Sequence, residues 1–506
     1  MTQATIHVAG GGAVHAVRSA MDLSAGKSDH PFRGKRVYMI GIGGSGMSGL
    51  ARLLRAQGAE VAGSDREPSE LTASLAESGI GVTYEQDLGE LPACDLVVTS
   101  AAVGPTHPQV STARARGVEV WLYARALGET MTGTLGVAVA GTHGKSTTTT
   151  MLGCALADSG LDPTVIVGAT SGQLRHGCLG PATPPAGFRI GAGPVVVEAC
   201  EYNRSFHSLR PRVACITNVE ADHLDCYGTF DGVIESFRQF AALLPSAAEG
   251  GLLVIGHENA QRGVVTAGLA CDVRTVGFSP DADWCVRYDP GTRAVGLSRD
   301  GRERAAWTLR VPGAHNAINS ATAWIMADAL GASGERVAAS LAEFRGADRR
   351  MQLLGELAVS GGVVRVIDDY GHHPTEVEVT LRALREAERP QTRGGRLICV
   401  FQPHQHSRTR HLLDQFALSF GEADVVLVPP IYFVRDSERE RDLVSSEDLV
   451  SRLREKGVEA HAAAGFEEII ARLSGMVRGG DVVVVMGAGP VWKVGRGLLA
   501  AGSRKG

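Results

Sequence analysis

The chain has 506 residues, 44% hydrophobic and 21% charged, a composition that excludes a largely disordered protein and predicts about three domains. Its 50 Lys and Arg residues are balanced by 55 Asp and Glu residues, and the net charge of -5 predicts no binding to nucleic acid or to an anionic membrane. Sixty-four glycines beside 5% aromatic residues are typical of α/β layers with tight turns between strands and helices.

Residues 1–33 precede the first predicted strand and contain no basic start followed by an apolar core, so they do not have the pattern of a signal peptide. We expect them to form a flexible N-terminal extension. The nine cysteines are odd in number and include no CxxC pair, which argues against a disulfide framework and against a zinc ribbon. These features predict a cytoplasmic protein with reduced thiols and no membrane segment.

The first predicted strand, Arg36–Ile40, leads into a glycine-rich turn that matches the dinucleotide-binding fingerprint at Gly41, Gly43 and Gly46. Such glycines let the backbone approach a diphosphate at the start of the following helix. Asp65 ends the next strand, where a carboxylate can accept a hydrogen bond from a ribose hydroxyl. The turn predicts a bound nucleotide diphosphate, but it does not distinguish NAD from another nucleotide.

The second predicted strand, Gly136–Ala140, leads into a second phosphate loop with the sequence Gly-Thr-His-Gly-Lys-Ser over residues 141–146. The backbone N–H groups of such a loop surround phosphates, Lys145 neutralises the β and γ oxygens, and Ser146 or Thr147 can hold Mg²⁺. Val139 occupies the position of the first glycine in the strict motif. Two phosphate loops indicate that one nucleotide is a substrate and that the other, ATP, is consumed.

Polar clusters follow several other predicted strands. Glu198 and Glu201 follow one of these strands, and the acid/His cluster at residues 220–225 follows another, which predicts a Mg²⁺ or Mn²⁺ site near the second loop. Further polar segments occur at residues 315–319, 368–376 and 401–410. Taken singly, each segment is also compatible with a solvated loop or a helix cap.

These segments, in this order, resemble the Mur ligase family over residues 34–494. The most specific are GIGGSGMSGLA at residues 41–51, AGTHGKSTTTT at 140–150 and DDYGHHPTE at 368–376. The last of these segments, DDYGHHPTE, is similar to the corresponding segment in the branch of the family that adds alanine. The resemblance implies a three-domain α/β fold. It has a Rossmann-like domain for a UDP-sugar (34–131), a central P-loop ATPase with a mostly parallel sheet (132–346) and a Rossmann-like C-terminal domain (347–506).

The resemblance also implies an activity, namely ATP-dependent joining of L-alanine to the lactyl carboxylate of UDP-N-acetylmuramate through an acyl phosphate, in peptidoglycan precursor synthesis. ATP and Mg²⁺ (or Mn²⁺) are the implied cofactors, and a monomer or weak homodimer is expected. Three alternatives stay open. They are a ligase that recycles a preformed peptide, a nicotinamide oxidoreductase, and a sugar-nucleotide sensor without activity.

Site residues are carried over from the family motifs position by position. The UDP-sugar site is expected to comprise Gly41, Gly43, Gly44, Ser45, Gly46, Asp65 and Ser100. The ATP site is expected to comprise Gly141, Thr142, His143, Gly144, Lys145, Ser146, Thr147, Asn316, Asn319 and Arg350. The metal ligands are expected to be Ser146, Glu198 and His223, and the amino-acid site His372, Arg408 and Arg410. The catalytic residues are expected to be Lys145, His223, Arg350, Asp369 and His372.

Two positions depart from the family pattern. Cys200 stands where many relatives have Asp, so a second metal contact from this position is not expected. Arg238 stands at about the place where relatives outside the alanine-adding branch carry a carbamylated lysine, a modification that arginine does not undergo in the same way.

Overall fold

The computed structural model describes residues 30–86, 89–175, 186–434 and 436–503, so residues 1–29 of the predicted extension lie outside the described residues. The described chain forms three α/β units, each around its own sheet, which confirms the predicted fold class. The boundaries predicted after residues 131 and 346 stay predictions. Across the described ranges, no helix combines the length and the apolar character needed to cross a bilayer.

The N-terminal unit has a five-stranded parallel sheet in the order β3-β2-β1-β4-β5. The strands are β1 Arg36–Ile40, β2 Glu60–Ser64, β3 Gly81–Thr83, β4 Leu96–Thr99 and β5 Glu119–Leu122. The helices are α1 Ser45–Ala56, α2 Glu70–Glu77, α3 Pro108–Ala115 and α4 Tyr123–Thr130. The central strands β1 and β4 are almost entirely buried, as expected for apolar strands covered on both faces.

The central unit has a ten-stranded sheet in the order β15-β14-β13-β12-β11-β10-β6-β9-β7-β8. Its strands are β6 Gly136–Ala140, β7 Thr164–Ser171, β8 Ala186–Arg189, β9 Val195–Glu198, β10 Val213–Ile216, β11 Leu252–Gly256, β12 Asp272–Gly277, β13 Trp284–Asp289, β14 Ala294–Arg299 and β15 Arg302–Thr308. Its helices are α5 Lys145–Asp158, α6 Leu224–Tyr227, α7 Phe230–Ala241, α8 Arg262–Thr266, α9 Ala314–Ala329 and α10 Gly334–Glu343, with 3₁₀ segments at Gly172–Arg175, Tyr202–Ser208 and Ala247–Glu249. Helix α5 packs against α9 and α10 and is buried along most of its length.

The C-terminal unit has a six-stranded sheet in the order β16-β17-β21-β18-β19-β20, in which only β16 is antiparallel to its neighbour. Its strands are β16 Gln352–Val359, β17 Gly362–Asp369, β18 Leu397–Phe401, β19 Val425–Val428, β20 Glu459–Ala462 and β21 Val482–Met486. Its helices are α11 Pro374–Glu388, α12 His406–His411, α13 Leu413–Leu418, α14 Glu438–Arg441, α15 Ser446–Glu455, α16 Phe466–Met476 and α17 Trp492–Ser503, with a 3₁₀ segment at Pro390–Arg393.

The carboxyl ends of strands in the central and C-terminal units meet in a shared region, which we call the seam. Residues after β10 and before α6 contact residues that follow β17 and β18. Thr375 donates a hydrogen bond to Glu220 at 2.6 Å, and Arg408 contacts Asp222. Carboxyl ends of parallel strands are where open α/β sheets bind their ligands. The seam is therefore the place where the fold gathers the predicted catalytic residues.

We predict that Gly128→Ala disturbs the docking of the N-terminal unit onto the central unit. Gly128 lies in α4, which packs against residues 202–208, and a Cβ at this position would stand 1.9 Å from the Ser208 carbonyl oxygen. Such overpacking costs roughly 1–3 kcal/mol. Thermal unfolding of the variant should therefore begin at a lower temperature than that of the unmodified protein.

The matched control is Gly475→Ala in α16, where no atom lies within 4 Å of the added Cβ. Replacing a helical glycine by alanine without strain is expected to be neutral or to stabilise by roughly 0.5–1 kcal/mol. Equal unfolding temperatures for the two variants would contradict the prediction.

Candidate active site

The loop between β6 and α5 is shaped by two glycines that no other residue could replace without a clash. Gly141 and Gly144 have φ values of 136° and 79°. A Cβ on Gly141 would stand 1.9 Å from the Thr217 hydroxyl oxygen, and one on Gly144 would stand 2.7 Å from Asn319 Oδ1. The chain consequently begins α5 with backbone N–H groups directed into the seam, which is a phosphate-binding arrangement.

Lys145 is folded back onto this loop. Its Nζ donates hydrogen bonds to the carbonyl oxygens of Gly141 and Thr142 at 2.6 and 2.9 Å, and it lies 2.9 Å from Glu201. Burial by itself would lower the pKa of Lys145, but the charge of Glu201, helped by Cys200 and Glu198, outweighs burial and raises it. The amine is therefore a buried cation with its own counter-ion.

The three predicted metal ligands lie around this lysine. Ser146 Oγ is 3.0 Å from both carboxylate oxygens of Glu198, and Glu198 also accepts a hydrogen bond from Gly168 N–H at 2.7 Å. His223 Nε2 is 3.8 Å from Glu201, on a residue with a positive φ of 54°. A hydroxyl, carboxylates and an imidazole form a donor set that fits Mg²⁺ or Mn²⁺.

A cavity of about 120 Å³ lies beside the loop, between the central and C-terminal units. Seven of the predicted ATP-site and catalytic residues line it: His143, Gly144, Thr147, Asn316, Asn319, Arg350 and Asp369. The two asparagines are buried on the first turns of α9, where Asn316 donates to the Pro312 carbonyl oxygen at 2.7 Å. The structure thus brings residues from both units to one small space.

Asp369 and Arg350 form the C-terminal wall of this cavity. The Asp369 carboxylate accepts hydrogen bonds from the backbone N–H groups of Met351 and Gly371 at 2.8 and 2.7 Å. Burial raises the pKa of Asp369 to about 6, although the positive charge of Arg350 and these two bonds oppose the rise. The Arg350 guanidinium lies 3.5 Å from Glu376 and 5.2 Å from the centre of the Tyr370 ring.

His143 stands between two carboxylates of different units. Its Nε2 is 3.4 Å from Glu220 in the central unit, and its Nδ1 is 3.4 Å from Glu376 on α11. Burial would lower the pKa of His143, but these two carboxylates overcome it and raise the pKa to about 9. His143 is therefore charged at neutral pH and joins the phosphate loop to the C-terminal unit.

The predicted amino-acid residues lie at the other end of the seam. Asp222 Oδ1 accepts two hydrogen bonds, from Nε and Nη2 of Arg408, both at 3.0 Å, while Arg408 Nη1 lies 3.0 Å from His404. The ring of His404 is 5.6 Å from that of His372. Burial lowers the pKa of His372 to about 4, so this imidazole is uncharged at neutral pH.

The structure does not bring Arg410 to this group. Its side chain is 37% exposed and pairs with Glu440 at 3.0 Å, away from the seam. The physical reason is helical geometry, because residues two positions apart on α12 face different sides of the helix. Of the two arginines predicted to contact the amino acid, Arg408 lies at the seam and Arg410 lies away from it, and a role for either in binding the amino acid stays a prediction.

The other predicted loop lies in the N-terminal unit, between β1 and α1. Gly43 N–H donates to Asp65 Oδ2 at 2.7 Å, so the predicted ribose-binding acid also fixes the loop. Ser100 Oγ lies 3.3 Å from the position that a Cβ on Gly41 would occupy. Gly44 and Ser45 are exposed at the start of α1, and a Cβ on Gly46 would stand 2.7 Å from the Tyr123 hydroxyl.

The sequence placed Glu201 and Glu220 only in a general metal-binding region and gave Glu376 no individual role, whereas the structure places all three carboxylates at the centre of the site. Each accompanies a cation, Glu201 with Lys145 and the other two with His143. One signal was present, since Glu376 follows His373 at the spacing of a capping box, which the structure contains at the start of α11. That signal predicts a helix start and not a contact with the phosphate loop.

Comparison with protein families gives three matches in chain order. The Mur ligase family catalytic domain matches residues 36–134, the Mur ligase middle domain matches residues 139–327, and the Mur ligase glutamate ligase domain matches residues 349–489. The matches cover the loops of both units and the whole of the seam described above.

Individual relatives agree with these matches. A curated UDP-N-acetylmuramate–L-alanine ligase of Kineococcus radiotolerans is 42% identical over 475 residues, covering 92% of this chain and 95% of its own. The crystal structure of a UDP-N-acetylmuramate–alanine ligase from Thermotoga maritima superimposes with a TM-score of 0.74 at 25% identity, covering 93% of this chain and 100% of that one. A murein peptide ligase from Psychrobacter arcticus has the same fold, with a TM-score of 0.66 at 24% identity, covering 93% of this chain and 99% of that one.

All three of these proteins are named as ligases, and the alternative of a nicotinamide oxidoreductase is not supported. The family matches run from residue 36 to residue 489, and the Kineococcus ligase is covered almost from end to end. On these grounds the chain belongs to the Mur ligase family.

Proposed function

We propose that this protein joins L-alanine to the lactyl carboxylate of UDP-N-acetylmuramate and consumes ATP. The observation that carries the proposal is the seam, where a phosphate loop with its lysine meets the Asp222–Arg408 pair and His372. The names of the Kineococcus and Thermotoga relatives support the choice of substrates. A cytoplasmic location and a monomeric or weakly dimeric state accompany the proposal as predictions.

The ATP phosphates bind at the start of α5, where Lys145 moves from Glu201 and the loop carbonyls to the γ-phosphate. Asn316 and Asn319 supply amide donors and acceptors in the adjoining cavity, which Arg350 closes from the C-terminal unit. Ser146, Glu198 and His223 would hold Mg²⁺, which neutralises charge on the phosphate oxygens when bound.

The lactyl carboxylate attacks the γ-phosphorus in line, and the bond between γ-phosphorus and the ADP oxygen breaks, giving an acyl phosphate and ADP. The neutral amine of L-alanine then attacks the acyl carbon, the tetrahedral intermediate collapses, and inorganic phosphate leaves with its bonding electron pair and takes up the proton that the nitrogen loses. Lys145 stabilises the negative charge on the transferred group. Closure of the seam excludes water, which would otherwise hydrolyse the acyl phosphate.

We predict that Lys145→Ala lowers substrate-dependent ADP release by roughly 100- to 1,000-fold, because the transferred phosphoryl group loses its buried cation. UDP-N-acetylmuramate affinity, measured by calorimetry, should stay within about twofold, because its proposed loop lies in another unit. Lys456→Ala, at an exposed position after α15, is the control and should leave both quantities unchanged. Turnover retained by Lys145→Ala would overturn the role given to this residue.

We predict that kcat/KM for ATP falls as the pH drops through about 6. Asp369 has its pKa raised to about 6 by burial, so its carboxylate is charged above that pH and protonated below it. Protonation removes an acceptor of the Met351 and Gly371 N–H groups and weakens the wall of the cavity. The measurement is ADP release against pH, with kcat/KM reporting the free enzyme.

The control for the pH profile is Asp369→Asn, which cannot titrate. Its kcat/KM should be lower than that of the unmodified protein and should not show the fall between about pH 7 and 5. If kcat/KM of the unmodified protein fell only near the ordinary pKa of an Asp carboxyl, about 4, the prediction would be contradicted.

We predict that L-alanine supports ADP release in the presence of UDP-N-acetylmuramate and that a tripeptide in its place does not. The cavity beside His223 and Arg408 measures about 20 Å³, roughly the space of one water molecule, so the choice of alanine rests on the names of the Kineococcus and Thermotoga relatives. A reaction without the sugar nucleotide is the control for ATP hydrolysis that is not coupled to ligation. ADP release with the tripeptide alone would favour the peptide-recycling alternative, and no substrate-dependent ADP release would overturn the proposed function.

A further inference from the structure

A second group of metal-type ligands lies at the seam, apart from the residues assigned to Mg²⁺. It consists of His143 in the phosphate loop, Glu220 after β10 and His373 at the start of α11, and we call it the seam triad. Glu220 Oε2 is 3.4 Å from His143 Nε2 and 3.8 Å from His373 Nδ1, and the ligand atoms all lie within 4.8 Å of one another.

The spacing of the seam triad fits a tetrahedral transition-metal ion. Metal–ligand distances of about 2.0–2.1 Å place neighbouring ligand atoms about 3.4 Å apart, so only modest approach of the imidazoles is needed. The Nε2 atom of His143 is buried, and its nearest partner, Glu220 Oε2, lies 3.4 Å away, which is longer than an ordinary hydrogen bond. A buried nitrogen with only this long contact, directed into such a cluster, has room for a closer ligand.

The surroundings of His373 hold it in the tautomer that binds a metal, whereas His143 would give up its Nε2 proton when the metal binds and keep its Nδ1 proton beside Glu376. His373 Nε2 lies 3.4 Å from the Ala221 carbonyl oxygen, which can only accept, so Nε2 carries the proton and Nδ1 presents its lone pair. His143 Nδ1 lies 3.4 Å from Glu376, which leaves Nε2 as the ligand atom. Metal-binding histidines regularly donate their other N–H to a carboxylate or a carbonyl in this way.

The ligand that completes the triad is fixed as well. Glu220 Oε2 accepts a hydrogen bond from the Thr375 hydroxyl at 2.6 Å, so the carboxylate is oriented from the C-terminal unit. His373 Nδ1 also receives the Thr375 N–H at 3.3 Å, a long contact that a metal would replace. Without a metal, the charged His143 ring lies between Glu220 and Glu376, and a divalent cation bound beside Glu220 would replace the Nε2 proton as the neutralising charge.

We propose that His143 Nε2, Glu220 and His373 Nδ1 bind a transition-metal ion of the Zn²⁺ class, at a site separate from the Mg²⁺ ligands. Two imidazoles and one carboxylate favour Zn²⁺ or Co²⁺ over Mg²⁺, which prefers oxygen donors and keeps its water. Because the ligands come from two units, the ion fastens the phosphate loop to α11. While the phosphate loop and α11 are held together by the ion, the two units do not separate to exchange ADP for ATP. The bound ion therefore lowers turnover.

The test uses the full chain without nucleotide and Co²⁺ as the probe, since tetrahedral Co²⁺ absorbs strongly in the visible range. The unmodified protein should give this absorption, Zn²⁺ should abolish it, and excess Mg²⁺ should not. His373→Asn keeps a residue that can cap α11, and Glu220→Gln keeps an acceptor for Thr375. Both variants should weaken Co²⁺ binding by at least about 10- to 100-fold.

His461→Gln on β20, where the imidazole pairs with Glu459, is the matched control and should bind Co²⁺ like the unmodified protein. Unchanged Co²⁺ binding by His373→Asn would overturn the proposal. Loss of the absorption on Glu198→Gln, with retention on His373→Asn, would place the ion at the Mg²⁺ residues and would also overturn it.

The effect on turnover is measured separately, at saturating Mg²⁺ and ATP with added Zn²⁺. Zn²⁺ should inhibit ADP release by the unmodified protein and by His461→Gln, while the rate of His373→Asn stays at its own metal-free value. Equal inhibition of all three proteins would overturn the link between the site and turnover. Because Co²⁺ binding needs no substrate, failure of the proposed ligase reaction would leave the binding result intact.

Discussion

Paired buried charge at the seam is the constraint on which the rest of the structure depends. Lys145, His143, Arg350 and Arg408 are cations in places with little water, and each lies beside a carboxylate. An uncompensated buried charge costs several kcal/mol, so the two pairs that cross between units, His143–Glu376 and Asp222–Arg408, favour the arrangement in which the central and C-terminal units meet at the seam. These two pairs therefore align the two sheets and the groups assigned to the reaction, whereas Lys145–Glu201 and Arg350–Glu376 each lie within one unit.

The ligand-free site is internally compensated, because its own carboxylates stand where anionic substrates would bind. Glu201 neutralises Lys145, and Asp222 occupies two donors of Arg408. Binding of phosphates or of a carboxylate thus exchanges one anion for another and does not create an isolated cation. Such exchange makes binding and movement of the seam interdependent, since the released carboxylate must find a new partner.

Local features of the site were predictable from the sequence, and contacts between units were not. The loop at residues 141–146 follows from a strand, its glycines and a lysine, all within a short segment. Its neighbours Asn316 and Asp369 were found only through motifs resembling the family. The pairing of His143 with Glu376 depends on how two sheets meet, which no local pattern encodes. The position of Arg410 away from the seam was unpredictable for a related reason, because the side of α12 that faces the seam is set by packing.

The position of β21 has a consequence for the synthesis of the chain. This strand, Val482–Met486, pairs with β17 on one side and with β18 on the other, and all its residues are buried. The last strand in sequence therefore completes the middle of the sheet. While the ribosome is still making residues before 482, β17 and β18 have no strand between them, so the C-terminal unit completes its sheet only near the end of translation. The phosphate-loop sheet, with all its strands before residue 309, has no such delay.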